Sequence, residues 1–177
     1  MKKEQVEPWL RGTLMEVEPL ARGVLHALEL AAEDVAQWCG GLSGEEMEAR
    51  PYGAAPVGFH LRHIARSLDR LLSYAEGLAL TKAQLAKLKT EMDGRRDSAS
   101  REATMLEFVE GLETAVERVR RFDPARYGQA RSVGRKKLPT TVGGLLVHCA
   151  EHTSRHVGQA VTTAKVVRQA ERGTDSV

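Results

Sequence analysis

Apolar residues recur at three- and four-residue spacing through four long segments of this chain and do not sustain the strict alternation of a half-buried strand. That period is helical, so each segment has one face to bury against another helix. In the first segment, Leu20, Val24, Leu25, Leu28, Ala31, Ala32, Val35 and Trp38 follow Pro19, a favoured first-turn residue, and Gly40-Gly41 stops the pattern. In the second, Val57, Leu61, Ile64, Ala65, Leu68, Leu71, Leu72 and Ala75 run from Pro56 to Gly77. The third begins near Ser100, carries Met105, Leu106, Val109, Leu112, Val116 and Val119, and ends before Asp123-Pro124; Gly111 weakens its middle. The fourth starts at Thr140 or Thr141 and continues to about Ala170.

The intervening stretches are shorter or irregular. Leu42-Ser43-Gly44-Glu45-Glu46 offers a cap and a short turn of helix, and Pro51-Tyr52-Gly53-Ala54-Ala55-Pro56 breaks it. Thr81 caps a small helix from Lys82 to about Met92, followed by a solvated loop from Asp93 to Ala99. Residues 124–140 carry Arg126, Arg131, Arg135, Lys136 and Lys137 with little periodicity, a connection long enough to serve as a lid or crossover. Strand pairs, glycine-rich phosphate loops and internal repeats are not expected. The expectation is an all-α four-helix bundle, one domain over 1–177, with a long crossover connection before the last helix, an N-terminal arm over 1–17 and a frayed tail over 172–177. Trp38 reads as core. Trp9, on the arm, packs either over a neighbouring subunit or back on its own bundle.

Charge and cysteine content narrow the partners. Of 177 residues, 26 are Lys or Arg and 24 Asp or Glu, so the net charge of +2 provides no field for nucleic acid or an anionic membrane. The basic connection has one aromatic, Tyr127, and no recognition motif, so no nucleic-acid partner is expected. Cys39 and Cys149 are isolated, which fits a reducing compartment, and no apolar run approaches the roughly 20 residues that span a bilayer. A cytoplasmic protein follows as the expectation.

Chemistry concentrates late in the chain. Three of the six histidines, His148, His152 and His156, fall at four-residue intervals, which places them on one side of a helix. At ~100° per residue, Leu146, Ala150, Thr153, Val157, Ala160, Val161 and Ala164 form the apolar stripe of that helix. His152 and His156 lie at its edge, and His148 further round toward Glu151 and Arg155, the least buried of the three. Two imidazoles fill half of a tetrahedral shell, so another helix must supply a ligand. The second segment holds His60 and His63, and the helical wheel does not choose between them: His60 is nearer the apolar stripe, while His63 shares a face with Ser67, Arg70 and Tyr74.

The run Gly58-Phe59-His60-Leu61-Arg62-His63-Ile64-Ala65, then Asp69-Arg70-Leu71-Leu72 and Tyr74-Ala75-Glu76-Gly77, and finally His152-x3-His156-x2-Gln159, resembles the DinB-like superfamily. The resemblance implies a four-helix bundle with a three-histidine metal site, its ligands being His63, His152 and His156, and commonly a homodimer. Val157 departs from the usual His-Arg-Gly-Gln ending, so no role for that arginine carries over. Some relatives are thiol transferases or thiol-dependent isomerases that use a low-molecular-weight thiol such as bacillithiol or mycothiol. By that comparison the chain is a metal-dependent transferase or hydrolase on an unidentified small molecule, with Zn or Ni as the metal. Arg66, Arg70 and Arg155 are candidates to grip the carboxylates of a thiol cofactor, and Gln159 to donate to a ligand. Cys149, one turn before His152, is a candidate extra ligand, with a buried packing role as the simpler reading.

Two alternatives use the same residues. A metal could stabilise a non-catalytic, stress-associated binding protein, in which case a fourth ligand is needed from Cys149 or His60. His148-x-x-Glu151-His152 also fits the inverted zinc-peptidase motif, with Glu151 as general base, but leaves His156 without a role.

Overall fold

The computed structural model describes residues 6–92 and 100–174, so the expected loop at Asp93–Ala99 and the first five residues of the arm lie outside the described residues. Among the described residues, six α-helices form where periodicity and punctuation coincide: α1 (Pro19–Trp38), α2 (Gly44–Glu48), α3 (Val57–Glu76), α4 (Lys82–Met92), α5 (Arg101–Arg120) and α6 (Val142–Thr174). The first turns of all but α3, which starts after Pro56 without a side-chain cap, are satisfied by side chains that supply acceptors to backbone N–H groups the helix leaves unpaired. The Glu18 carboxylate accepts from the N–H groups of Leu20 and Ala21, and Ser43 and Glu46 form a reciprocal capping box. Thr81 and Gln84 cap α4 reciprocally, Ser100 accepts from Ala103, and Thr141 accepts from Gly144. Gly77 ends α3 at φ 83°, where a side chain would be strained.

The four long helices close into a ring. α3 packs against α5 and α6, and α1 packs against the same two, so α1 and α3 face each other across one diagonal and α5 and α6 across the other. The chain therefore crosses the bundle twice. The expected crossover before α6 is present, and the connection from α1 through α2 makes an earlier one. The last crossing lays α6 into the groove between α1 and α3, which brings two histidine-bearing helices side by side. Leu28, Leu61, Ile64, Leu68, Leu72, Phe108 and Leu146 fill the centre, each fully buried.

Gly111 has a packing reason. A Cβ there would lie 2.6 Å from the Ala65 Cβ, so glycine permits the close α3–α5 crossing. The short α4 also lies alongside α3.

Several expectations need correction. Residues 130–141 form an antiparallel hairpin, β1 (Ala130–Val133) with β2 (Leu138–Thr141), paired from Ala130↔Thr141 to Val133↔Leu138. Its turn uses positive φ at Gly134 (71°) and Lys137 (48°). Each strand has only four residues and neither has a buried face, so the pair leaves no alternation to read. The hairpin is held down by Arg131, whose Nε donates to the Ala75 carbonyl near the end of α3. The last helix continues to Thr174, into the expected tail, whose final residues 175–177 lie outside the described residues. Trp38 sits at the margin of the core rather than inside it, with the Lys165 ammonium 4.0 Å over its ring. The arm is anchored through Arg11, which donates to Glu29 and Glu33 of α1, while Trp9 remains 62% exposed and does not fold into the bundle. No helix among the described residues is long and apolar enough to cross a membrane.

Candidate metal centre

α3 and α6 run side by side, and four of the six histidines meet at their contact. One ring nitrogen from each of His63, His152 and His156 lies within 4.8 Å of the others. Within this trio, His63 Nε2 and His152 Nε2 are 3.2 Å apart. Tetrahedral bonds of about 2.0–2.1 Å to zinc would space two nitrogens about 3.3 Å apart, so the donor set fits a transition ion. Imidazole nitrogens suit zinc, nickel, iron and copper alike.

Each ring is oriented by neighbours. The His63 Nδ1 pairs with Glu91 Oε2 at 2.9 Å, and Phe59 stacks on the ring at 5.4 Å with planes 10° apart. Glu91 is nearly buried and is gripped by Arg70, whose two guanidinium nitrogens donate to its oxygens at 3.0 and 3.1 Å. Burial alone would raise the Glu91 pKa, but the hydrogen bonds from His63 and Arg70, with the charge on Arg70, hold it below the usual carboxylate range. Arg70 also donates to Ser67 Oγ at 3.1 Å. On the far side, His60 is 5% exposed and its Nδ1 stands 3.0 Å from His156 Nδ1.

Electrostatics keep the rings available. Burial pushes His60 down to about 4, and the neighbouring His63 acts in the same direction. Burial likewise lowers His152 to about 4 and His156 to about 3, assisted by the surrounding imidazoles and by Arg155. These three rings are therefore neutral near pH 7, the state in which an imidazole has a lone pair to give.

The remaining sequence candidates separate by position. His148 stays outside the cluster, its side chain 44% exposed and its Nδ1 3.6 Å from Glu151. That is the reverse of what the inverted peptidase motif requires, since the cluster includes His156 and leaves out His148. Cys149 is fully buried in the apolar core, where burial pushes its thiol up to about 12, and it is not among the grouped ligand atoms. Arg66 turns toward α5 and forms a two-point ion pair with Glu107. Arg155 and Gln159 are exposed and line a groove of 520 Å³ with His60, Thr162 and Thr163, opposite Ala54 and Ala55.

Glu91 is the residue the sequence reading missed. Its one signal is that it lies seven residues after Gln84, so both occupy the side of α4 that meets α3; Gln84 donates there to Asp69 and Ser73.

Imidazoles converging from two facing helices of a four-helix bundle define a class of helical proteins that build metal sites between their helices. The chain belongs to the DinB superfamily, whose family model matches residues 27–160, a span that includes α3, α4 and all three clustered histidines. No curated protein matches the chain.

Proposed function

We propose that this DinB protein is a metal-dependent transferase or hydrolase in which His63, His152 and His156 hold one divalent transition ion, zinc or nickel, and leave a further position open. The observation that carries this reading is the composition of the cluster: three neutral-capable imidazoles, with no carboxylate or thiol among the grouped ligand atoms of the described residues. Three protein ligands are the pattern of catalytic zinc sites, whereas structural sites close the fourth position with a protein side chain. The bound ion supplies Lewis acidity to a water or a low-molecular-weight thiol at the open position.

The chain's own groups do the rest. Phe59, stacked on His63, shields that ring from water on one face. Arg155, for which the described residues provide no ion pair or hydrogen bond, lies on the groove with Gln159 and holds an anionic end of the substrate or thiol. Thr163 is seven residues beyond His156, so at 1.5 Å per residue the groove wall extends about 10 Å from the cluster, enough for a small molecule lying along α6. The apolar core is closed by residues other than the histidines, which favours a catalytic ion over one that holds the fold together.

Elemental analysis of protein purified without a metal column tests the site. The expected content is about one transition ion per chain, falling to background when His152 and His156 are both changed to Ala. Metal retained by that double variant would overturn the assignment. Chelation is expected to leave a folded, inactive protein; unfolding on chelation would favour a structural ion. A thiol-transfer assay across several cellular thiols then tests the reaction class.

A further inference from the structure

We propose that Glu91 and His60 are positioning residues that decide which nitrogen of His63 and of His156 is free to bind the ion; the inference rests on the metal-site reading above. A neutral imidazole carries one N–H and one lone pair, and the partner of one nitrogen fixes the role of the other. An ionised carboxylate only accepts, so Glu91 Oε2 at 2.9 Å requires the proton of His63 to sit on Nδ1. The lone pair is then on Nε2, the atom that faces His152 Nε2 at 3.2 Å. Glu91 itself is kept off the ion, because the two Arg70 donors engage both of its oxygens. Arg70, Glu91 and His63 form a single chain of hydrogen bonds tying α4 to the site on α3.

The second pair follows the same logic. His60 Nδ1 and His156 Nδ1 are 3.0 Å apart, and only one of them can donate. If His60 donated, the His156 proton would lie on Nε2, and neither nitrogen of His156 would be open to an ion. Metal binding by His156 therefore requires His156 Nδ1–H to donate and His60 to accept, which places the His60 proton on Nε2. His60 is also among the residues lining the groove.

The variant that separates these roles is Glu91→Leu. Its side chain fills similar space but neither accepts nor donates a hydrogen bond. His63 Nδ1–H then loses its partner, and the proton is free to move to Nε2, where it blocks the ion. Two measurements on the full chain test this. Ring ¹⁵N NMR of the metal-free wild type is expected to show His63 protonated on Nδ1, and that of Glu91→Leu to show a substantial population protonated on Nε2. Competition with a chromophoric chelator for Zn²⁺ is expected to show affinity reduced roughly 10- to 100-fold in Glu91→Leu, largely restored in Glu91→Asp, and reduced by less in His60→Ala. A wild-type His63 protonated on Nε2, or a folded Glu91→Leu variant with Zn²⁺ affinity within about threefold of wild type, overturns the proposal. If the wild type binds no Zn²⁺ or Ni²⁺ at all, the metal-site reading fails, and the tautomer measurement still decides the Glu91 assignment.

Discussion

α3 presents polar side chains on two faces, and the two are built on opposite principles. Toward α5 and α2, cations meet acids: Arg62 pairs with Glu48 and donates to Thr104, Arg66 pairs with Glu107, and Asp69 receives Arg118. Toward α6, imidazole meets imidazole, with His63 Nε2 and His152 Nε2 at 3.2 Å and no acid between them. With the His63 proton held by Glu91, the lone pair on His63 Nε2 points at His152 Nε2, and a cation between the two nitrogens would take the place of a proton donated by His152. One face pairs each cation with an acid; the other gathers imidazole nitrogens that can share a proton or an ion. This difference, more than the histidine count, marks the α6 face as the functional one.

Acid should break the α6 face first. His60, His152 and His156 have folded-state pKa values lowered to between about 3 and about 4, against an ordinary value of 6.5. A lowered histidine pKa means that the unfolded chain binds protons which the folded chain refuses. Stability of the metal-free protein is therefore full above about pH 6.5 and falls as pH drops from there toward 4. Glu91, with its lowered pKa, acts in the same direction, since its contribution is lost as it protonates. Thermal melts of chelator-treated protein across that window check the sign, and a midpoint independent of pH between 6.5 and 4 would defeat it. Added metal should flatten the dependence, because the ion competes with the protons for the same nitrogens.

The α5 face gives the complementary outcome. Arg62→Met keeps the packed stem but leaves Glu48 and the fully buried Thr104 hydroxyl without the guanidinium. Removing one member of a buried pair costs about 3–5 kcal/mol, and the partial exposure of Glu48 brings the expected loss to about 2–3 kcal/mol. Chemical denaturation measures that loss, and metal content should remain at the wild-type level. Loss of metal in Arg62→Met would show that the two faces are coupled through α3 rather than separate.

What the sequence discloses follows the same division. The four long helices were legible because each combines a 3.6-residue stripe with its own punctuation, Pro19 and Gly40 for α1, Pro56 and Gly77 for α3, Ser100 for α5, Thr141 for α6. His152 and His156 share one helix, so their spacing alone paired them. The choice between His60 and His63 was not legible, since both project toward α6; His63 joins the nitrogen cluster and His60 stands behind His156. Glu91 was hidden because its partners are 21 and 28 residues away on another helix and no local spacing encodes that contact. For the same reason Arg70, a candidate for gripping a ligand, gave no sign that Glu91 would engage it. The hairpin was invisible because its exposed strands bury no face.

The finest division between core and site lies within α6 itself, at adjacent residues. His152 faces the cluster, while Thr153 is fully buried and its Oγ1 is the one buried side-chain polar atom without a hydrogen-bond partner among the described residues. A buried hydroxyl that makes no bond carries a desolvation cost with nothing to offset it, and valine has nearly the same shape. Thr153→Val is therefore expected to stabilise the protein by up to about 1 kcal/mol in denaturant unfolding and to leave Zn²⁺ affinity unchanged. If affinity falls instead, the hydroxyl belongs to the metal centre, and the boundary between the two regions runs one residue deeper into the helix than the burial pattern places it.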